Sequence, residues 1–191
     1  MARTIFYLHG FLSAPTGPKA TLVRKECEKR GFDFIAPDMN RNPLEVWSVL
    51  CNLVRDRDIG DYGIVASSLG GFYAARIVAD TGCRAVLINP ATRPWDYLEP
   101  YKGFQKTRAG TEVLVRGEYA EQLRSLNFAQ LKSPKNLLLV LSTADEVLDY
   151  HEAEKRFPLS PVIKLEGENH AVSGFEHIVS RVVDFLAPQK G

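Results

Sequence analysis

The sequence predicts an α/β fold in which helices flank a mostly parallel sheet, and three observations support this prediction. Short, continuously apolar runs alternate with longer amphipathic segments, which is the pattern of strands buried on both faces and of the helices that cover them. The apolar runs end at clusters of turn-forming residues. Within residues 62–76, an apolar run changes into a helical pattern through a turn of small residues, Ser67-Ser68-Leu69-Gly70-Gly71.

Four elements are predicted before this turn: a strand ending at Leu8, a helix over 19–30, a strand over 32–36 and a helix over 43–57. The first strand is rich in β-forming residues and ends at His9-Gly10, where glycine permits a tight loop. Pro37 ends the second strand. Pro43 lies in the first turn of the second helix, where proline is favoured.

Five further elements are predicted after the turn: a helix over 69–80, strands over 85–88, 137–141 and 161–165, and a helix over 175–186. The strand 137–141 is a continuous apolar run, as expected for a strand that is buried on both faces. The last helix carries its apolar residues on one face, so that face is expected to pack on the sheet.

The turn around Ser68 has the pattern of a nucleophile elbow. A strand that reverses into a helix within one residue needs small neighbours and holds its central residue in a strained backbone conformation. Ser68 is then presented above the sheet edge as a nucleophile. Ala66 replaces the usual glycine of this motif and is small enough to keep the packing. The alternative is an ordinary turn in which Ser67 or Ser68 caps the helix.

Asp145 and His170 complete the pattern of a serine nucleophile with its acid and base. Each follows a predicted strand, and the order nucleophile, acid, base is the one that this kind of fold uses. Because the carboxyl ends of parallel strands meet at one edge of a sheet, the three side chains can converge there. His170 would take the serine proton and return it to the leaving group, while Asp145 would fix the imidazole tautomer.

Other interpretations are consistent with the same residues. Asp149 is the second candidate for the acid, if the strand before it ends later, and Glu146 would point elsewhere. Asp145 could instead cap a helix over 146–156, and His170 could be a solvated loop residue. The remaining histidines are assigned structural or surface roles: His9, His151 and His177.

Two backbone amides are the candidates for an oxyanion hole. The N–H of Leu69 lies at the start of the helix that follows Ser68, where it could stabilise negative charge. Gly10 permits a loop that aims the N–H of Phe11 at the same centre. The alternative is that His9-Gly10 is a plain turn at the end of a strand.

Residues 91–132 interrupt the alternation of strands and helices, because they contain many turn signals and aromatic residues. We expect a small cap inserted into a single domain that spans residues 1–191. The aromatic candidates for an acyl pocket over Ser68 are Trp95, Tyr97 and Tyr101, together with Phe104, Tyr119 and Phe128. The alternative is that half of them only pack the cap onto the sheet. The basic residues of this segment could attract an anionic substrate or form a solvated face: Arg93, Lys102, Lys106 and Arg108.

Composition and charge argue against several classes of protein. The chain has 191 residues, of which 45% are hydrophobic, and its 24 basic and 23 acidic side chains leave a net charge of +1. No segment combines basic and aromatic residues as nucleic-acid-binding surfaces do, so no nucleic-acid partner is expected. No apolar run has the length of a membrane span or of a signal-peptide core, so a cytoplasmic protein is expected.

The three cysteines are expected to be reduced thiols in or beside the core: Cys27, Cys51 and Cys83. They are odd in number and far apart, which fits neither a disulfide framework nor a set of metal ligands. Neither a metal ion nor a cofactor is expected, and the sequence leaves the oligomeric state open.

Five segments together resemble the YqiA-type small esterases of the α/β-hydrolase superfamily. They are Tyr7-Leu8-His9-Gly10-Phe11, Ser67-Ser68-Leu69-Gly70-Gly71-Phe72-Tyr73-Ala74, Val86-Leu87-Ile88-Asn89-Pro90-Ala91, Asp145-Glu146-Val147-Leu148-Asp149-Tyr150 and Gly167-Glu168-Asn169-His170-Ala171. The resemblance implies an α/β-hydrolase fold and a cytoplasmic carboxylic-ester hydrolase for short acyl esters, with acyl-CoA thioesters as a further substrate class. It implies catalytic roles for Ser68, Asp145 and His170, and it does not extend over residues 101–132. Lyase or acyltransferase chemistry and a catalytically silent binding protein are the alternatives on this fold.

Overall fold

The computed structural model describes residues 3–187 and contains a central sheet of six parallel strands in the order β2-β1-β3-β4-β7-β8. The strands are β1 (Thr4–Leu8), β2 (Asp33–Ile35), β3 (Tyr62–Ser67), β4 (Arg84–Ile88), β7 (Leu137–Ser142) and β8 (Val162–Leu165). A separate antiparallel hairpin is formed by β5 (Gly103–Lys106) and β6 (Glu112–Val115). The first two and last four residues of the predicted domain 1–191 lie outside the described residues.

Six α-helices accompany these strands within residues 3–187. They are α1 (Pro18–Lys29), α2 (Pro43–Val54), α3 (Leu69–Thr81), α4 (Tyr119–Ser125), α5 (Tyr150–Arg156) and α6 (Val179–Leu186). The predicted helix 43–57 ends earlier, at Val54. The N–H of Arg57 donates a hydrogen bond to the carbonyl of Val54, three residues back, and not to the carbonyl four residues back as in an α-helix. The predicted helix 175–186 begins with a separate 3₁₀ turn, Phe175–His177.

The two faces of the sheet pack into two separate cores. Alternate residues of a strand point to opposite faces, so Ile64 and Ala66 of β3 join one core while Val65 joins the other. The first core contains apolar side chains of α2, α3 and α5, and the second contains those of α1 and α6. Helices therefore cover both faces, and the carboxyl edge of the sheet is left for loops.

The segment between β4 and β7 contains the hairpin, α4 and three short 3₁₀ turns, Pro94–Asp96, Glu99–Tyr101 and Pro134–Asn136. The loop of the hairpin reaches back to the carboxyl edge of the sheet. There the N–H of Arg108 donates a hydrogen bond of 2.8 Å to the carbonyl of Leu12, which lies in the loop after β1. Over residues 3–187, no helix is both long enough and apolar enough to span a membrane.

Candidate active site

Ser68 lies alone between β3 and α3, in a backbone conformation that L-residues rarely adopt. Its φ is 52° and its ψ is −121°. Three main-chain bonds hold it there: its N–H donates to Ile88, and its carbonyl accepts from Gly71 and Ala91. The Ser68 hydroxyl forms no capping bond to the helix, so the alternative of a simple N-cap does not describe this turn. Strain of this kind is typical of functional positions.

The small residues around Ser68 are required by close packing. A Cβ atom at Gly70 would overlap the carbonyl of Leu8, so only glycine allows α3 to begin this close to the end of β1. A Cβ atom at Gly10 would lie 3.0 Å from the Cβ of Ser68. Ala66 is fully buried in β3 and belongs to the core on the α3 side. The loop after β1 is therefore in direct contact with the serine turn.

Asp145 and His170 are joined by a hydrogen bond of 2.7 Å between Asp145 Oδ2 and His170 Nδ1. A carboxylate only accepts hydrogen bonds, so Nδ1 carries the proton and Nε2 is left as an acceptor. The Asp145 side chain is 2% exposed and that of His170 is 21% exposed. The pair is thus nearly dry at the carboxylate and open to solvent at the imidazole.

The environment of Asp145 keeps its carboxyl group ionised. Burial raises the pKa of Asp145, but the bonds from His170 and from the amides of Leu148 and Val147 outweigh burial, so the pKa lies below its ordinary value. Those two amides donate to Asp145 Oδ1 at 2.9 and 2.8 Å. An ionised carboxylate is the form that stabilises an imidazolium beside it.

Ser68 and His170 line the same cavity, which has a volume of about 460 Å³. The structure records no hydrogen bond from Ser68 Oγ to any group of residues 3–187, His170 included. Such contacts are often long in the absence of substrate and tighten when it binds. The structure therefore brings Ser68 and His170 to one cavity and joins His170 directly to Asp145, which lies behind the imidazole.

The rivals of Asp145 have other partners. Asp149 caps α5, since its Oδ1 accepts the N–H of His151 at 3.0 Å. Glu146 Oε2 accepts the main-chain N–H of His170 at 3.0 Å and so holds the histidine loop rather than the imidazole. His151 and His177 are exposed.

The two amides predicted for the oxyanion hole are both free to donate. Within the described chain, neither the N–H of Phe11 nor that of Leu69 has a hydrogen-bond acceptor. Leu69 is the first residue of α3, and Phe11 lies in the loop that touches Ser68 through Gly10. The arrangement offers two donors beside the serine turn.

His9 has the structural role that the sequence predicts. Its side chain is 1% exposed, its Nδ1 lies 2.8 Å from the carbonyl of Gly10, and its Nε2 accepts the N–H of Met39 at 3.0 Å. Burial lowers the pKa of His9. The neutral ring therefore ties the loop after β1 to the loop after β2.

Asn89 is a residue of the site that the sequence analysis missed. It follows β4 with a φ of 43° and is almost fully buried. Its amide nitrogen donates to Ser142 Oγ at 2.9 Å and to the carbonyl of His170 at 3.2 Å, and its Oδ1 accepts the N–H of Ser142. Asn89 thereby fixes the histidine loop to the ends of β4 and β7. In the sequence it is visible only as a polar residue that ends an apolar strand.

The three aromatic residues proposed for the acyl pocket do not line the Ser68 cavity. The ring of Trp95 packs edge-on against Phe72, and the Tyr97 hydroxyl bonds to Glu152. Tyr101 reaches the site only indirectly, since its ring meets Phe11 edge-on at 5.3 Å. This corrects the prediction, because contacts with neighbouring side chains already hold these rings away from the cavity.

A second cavity, of about 330 Å³, lies beside the first, and Phe11 lines both. Its apolar lining includes six residues from α3 and from the inserted segment, to which α4 belongs: Leu69, Tyr73, Leu98, Val115, Tyr119 and Leu123. Of the six aromatic residues considered in the inserted segment, only Tyr119 lines either cavity. Within residues 3–187, no group of three or more His, Cys, Asp or Glu side chains is placed to hold a metal ion.

Comparison with solved structures identifies the fold. Est1E from Butyrivibrio proteoclasticus, in a structure with ferulic acid bound, has a TM-score of 0.71 at 15% identity, over 95% of this chain and 86% of that chain. Alpha/beta hydrolase domain-containing protein 10 from mouse has a TM-score of 0.71 at 16% identity, over 96% and 88%. The esterase domain of a Rhodothermus marinus protein has a TM-score of 0.67 at 15% identity, over 96% and 84%.

These similarities show an α/β-hydrolase fold, as the sequence predicts. At such identities they show the fold alone. A family model described as uncharacterised protein family UPF0227 matches residues 4–187. Because that match covers nearly the whole chain, the protein belongs to the UPF0227 family, which confirms the YqiA-type resemblance.

Proposed function

We propose that this protein hydrolyses carboxylic esters through an acyl-enzyme formed on Ser68. One observation carries the proposal: Ser68, on its strained turn, shares a cavity with His170, whose Nδ1 is bonded to the buried Asp145 carboxylate. Two similar structures, the esterase domain from Rhodothermus marinus and Est1E with ferulic acid bound, support the same reaction class. Thioesters are a second substrate class within the proposal, because attack on them uses the same groups.

The proposed reaction has two halves. His170 Nε2 accepts the proton of Ser68 Oγ as the oxygen attacks the acyl carbon, and then gives it to the leaving alcohol or thiol. Water, deprotonated by the same nitrogen, then attacks the acyl carbon. The bond from that carbon to Ser68 Oγ breaks, His170 returns the proton to Ser68 Oγ, and the acid is released. Asp145 stabilises the imidazolium in both halves and keeps its own charge.

The amides of Phe11 and Leu69 are proposed to stabilise the oxyanion of each tetrahedral intermediate. Both N–H groups lack acceptors within the described chain and flank the serine turn. Donors that are fixed before the reaction need no reorganisation, and losing one donor typically costs about 10²- to 10³-fold in kcat. Among the natural residues only proline lacks a backbone N–H, and it would also constrain the backbone of the loop after β1.

The two cavities are proposed to divide the substrate. The leaving group must lie beside His170, which protonates it, and His170 lines the larger cavity. The acyl group then extends past Phe11 and Leu69 into the second cavity. Its volume is near the lower limit for small-molecule sites, which favours short acyl groups. Residues 91–132 supply much of its wall and are proposed to act as a cap that sets acyl preference.

We place this reaction in the cytoplasm. Cys27, Cys51 and Cys83 are free thiols, and free thiols are usual in a reducing compartment. Burial raises the pKa of Cys27 to about 12, so this thiol is unreactive at neutral pH.

Labelling with a fluorophosphonate probe tests the proposed nucleophile. Wild-type protein should be labelled at Ser68, as located by peptide mass spectrometry, and should hydrolyse p-nitrophenyl acetate or butyrate. Ser68→Ala should lose both properties while keeping its circular dichroism spectrum. Ser67→Ala is the matched control, because Ser67 is the buried last residue of β3 and should not be needed for labelling. Labelling that persists in Ser68→Ala would refute the assignment.

A further inference from the structure

Two cationic side chains line the larger cavity together with Ser68 and His170: Lys19 and Arg108. Lys19 lies in the first turn of α1, and Arg108 lies in the loop of the β5–β6 hairpin. They come from distant parts of the chain. The hairpin loop is held at this position by the bond from the Arg108 N–H to the carbonyl of Leu12.

Neither cation has a carboxylate partner. Among residues 3–187, Lys19 and Arg108 form no ion pair, whereas two other cations of the inserted segment do: Arg93 with Asp96 at 2.8 Å, and Lys102 with Glu99 at 2.6 Å. The Lys19 ammonium donates one hydrogen bond, of 2.7 Å, to the carbonyl of Ala171. It has three donors in all, so donors remain for a ligand.

Among the described residues that line the cavity, no carboxylate forms an ion pair with either cation. Glu146 accepts the main-chain N–H of His170, and Glu176 lies 3.7 Å from His177 Nε2. Asp145 Oδ2 is hydrogen-bonded to His170 Nδ1. The pKa of Lys19 is lowered to about 8, chiefly by burial and next by repulsion from Arg108, while attraction to Asp145 opposes the shift. Two like charges near each other, one of them half-buried, would be stabilised by an anion between them.

The position of Lys19 places its positive charge near the leaving group of the proposed reaction. Ala171, which accepts its hydrogen bond, directly follows His170. On the proposed mechanism, His170 delivers a proton to the leaving group. A group bound by Lys19 therefore belongs to the alcohol or thiol portion of the substrate and not to the acyl chain.

We propose that Lys19 and Arg108 form a subsite for an anionic group, a carboxylate or a phosphate, carried on the leaving-group side of the substrate. This inference rests on the proposed ester hydrolysis for its assignment to the leaving group. The presence of an anion site beside Ser68 can be measured without turnover.

Three acetate esters test the preference: para-acetoxybenzoate and para-acetoxyphenyl phosphate, which are anionic, and methyl para-acetoxybenzoate, which is neutral. The readout is the ratio of kcat/KM for each anionic ester to that for the neutral ester. Arg108→Gln should lower this ratio about fivefold, the upper range for an exposed pair of charges. Lys106→Gln is the control, since it removes a charge from the same hairpin at a residue that lines neither cavity. The ester whose ratio falls most identifies carboxylate or phosphate as the preferred group.

Lys19 needs a variant that keeps its structural bond. Lys19→Gln removes the charge and retains an N–H donor for the carbonyl of Ala171. Combined with Arg108→Gln, it should abolish both the anion preference and its decrease with added salt. A ratio that is the same in wild type and in the double variant would overturn the subsite.

Binding measurements test the anion subsite independently of the proposed ester hydrolysis. Calorimetric titration of Ser68→Ala with para-hydroxybenzoate and para-hydroxyphenyl phosphate should show binding that Arg108→Gln weakens about fivefold, while methyl para-hydroxybenzoate serves as the neutral reference. Binding with this dependence, but no ester turnover by the wild type, would refute the hydrolase and retain the anion site. Equal affinity for anionic and neutral phenols would refute the site even if the protein is an esterase.

Discussion

At the scale of single residues, the candidate site depends on which groups form hydrogen bonds with each acidic side chain. Asp145 receives three of them and is nearly inaccessible to water, so it is suited to hold an imidazole. Asp149, four residues later, has the same chemistry but lies at the start of α5 and caps it. Burial and hydrogen-bond partners distinguish Asp145 from Asp149, which the sequence alone leaves as two candidates for the acid.

We predict that Asp145→Asn lowers kcat about 10⁴-fold, as comparable substitutions do in triads. Asn can still accept the amides of Val147 and Leu148, but its NH₂ group would face His170 Nδ1 and force the tautomer that cannot accept the serine proton. Asp149→Asn is the matched control, because Asn caps helices as well as Asp does. Steady-state kinetics on p-nitrophenyl butyrate measures both, and the opposite ranking would move the acid to Asp149.

The stability that the protein loses in Asp145→Asn should depend on pH. The pKa of Asp145 is lowered in the folded state, below an unfolded value of about 3.9. Its carboxylate therefore adds stability above that value, and the gain is lost as the pH falls through the lower folded pKa. In urea unfolding, the free-energy difference between wild type and Asp145→Asn should be larger at about pH 6 than at about pH 3. An equal difference at both pH values would contradict this.

At the scale of elements, the inserted segment contributes to the wall of a cavity mostly through residues other than its aromatic candidates. Of the six aromatic candidates, Tyr119 of α4 lines the second cavity, whereas Trp95, Tyr97 and Tyr101 do not. Aliphatic residues such as Leu98 and Val115 line it as well. Composition shows that a segment is apolar. It does not show which rings already pack against other side chains, as Trp95 packs against Phe72.

We predict that Tyr119→Ala shifts the acyl-length preference toward longer esters, because it enlarges the proposed acyl cavity. Each methylene accommodated changes discrimination by about 1–3 kcal/mol. The measurement is kcat/KM for p-nitrophenyl esters from acetate to decanoate, with fluorophosphonate labelling retained. Phe104→Ala is the control, since Phe104 belongs to the hairpin, is 75% exposed and lines neither cavity. The same profile in wild type and Tyr119→Ala would place the acyl chain elsewhere.

At the scale of the whole molecule, the sequence predicted what local periodicity encodes. Apolar runs and turn residues located the six strands of the main sheet and the tight turn at Ser68. A strand that is buried on both faces, such as β7, needs a continuous apolar run, and the turn at Ser68 needs small neighbours. Contacts between distant segments carried no comparable signal. The bonds of Asn89 to the histidine loop and the approach of Arg108 to Leu12 depend on how loops from distant parts of the chain meet at one edge of the sheet.

The central step of the proposed reaction is the covalent acylation of Ser68 during turnover. Its most direct test is rapid acid quenching of wild-type protein during turnover of p-nitrophenyl butyrate, followed by peptide mass spectrometry. We predict a butyryl group on the peptide that contains Ser68, at the serine itself, and no such adduct in Ser68→Ala. Turnover with no acylated peptide, or with the acyl group on another residue, would contradict the proposed role of Ser68.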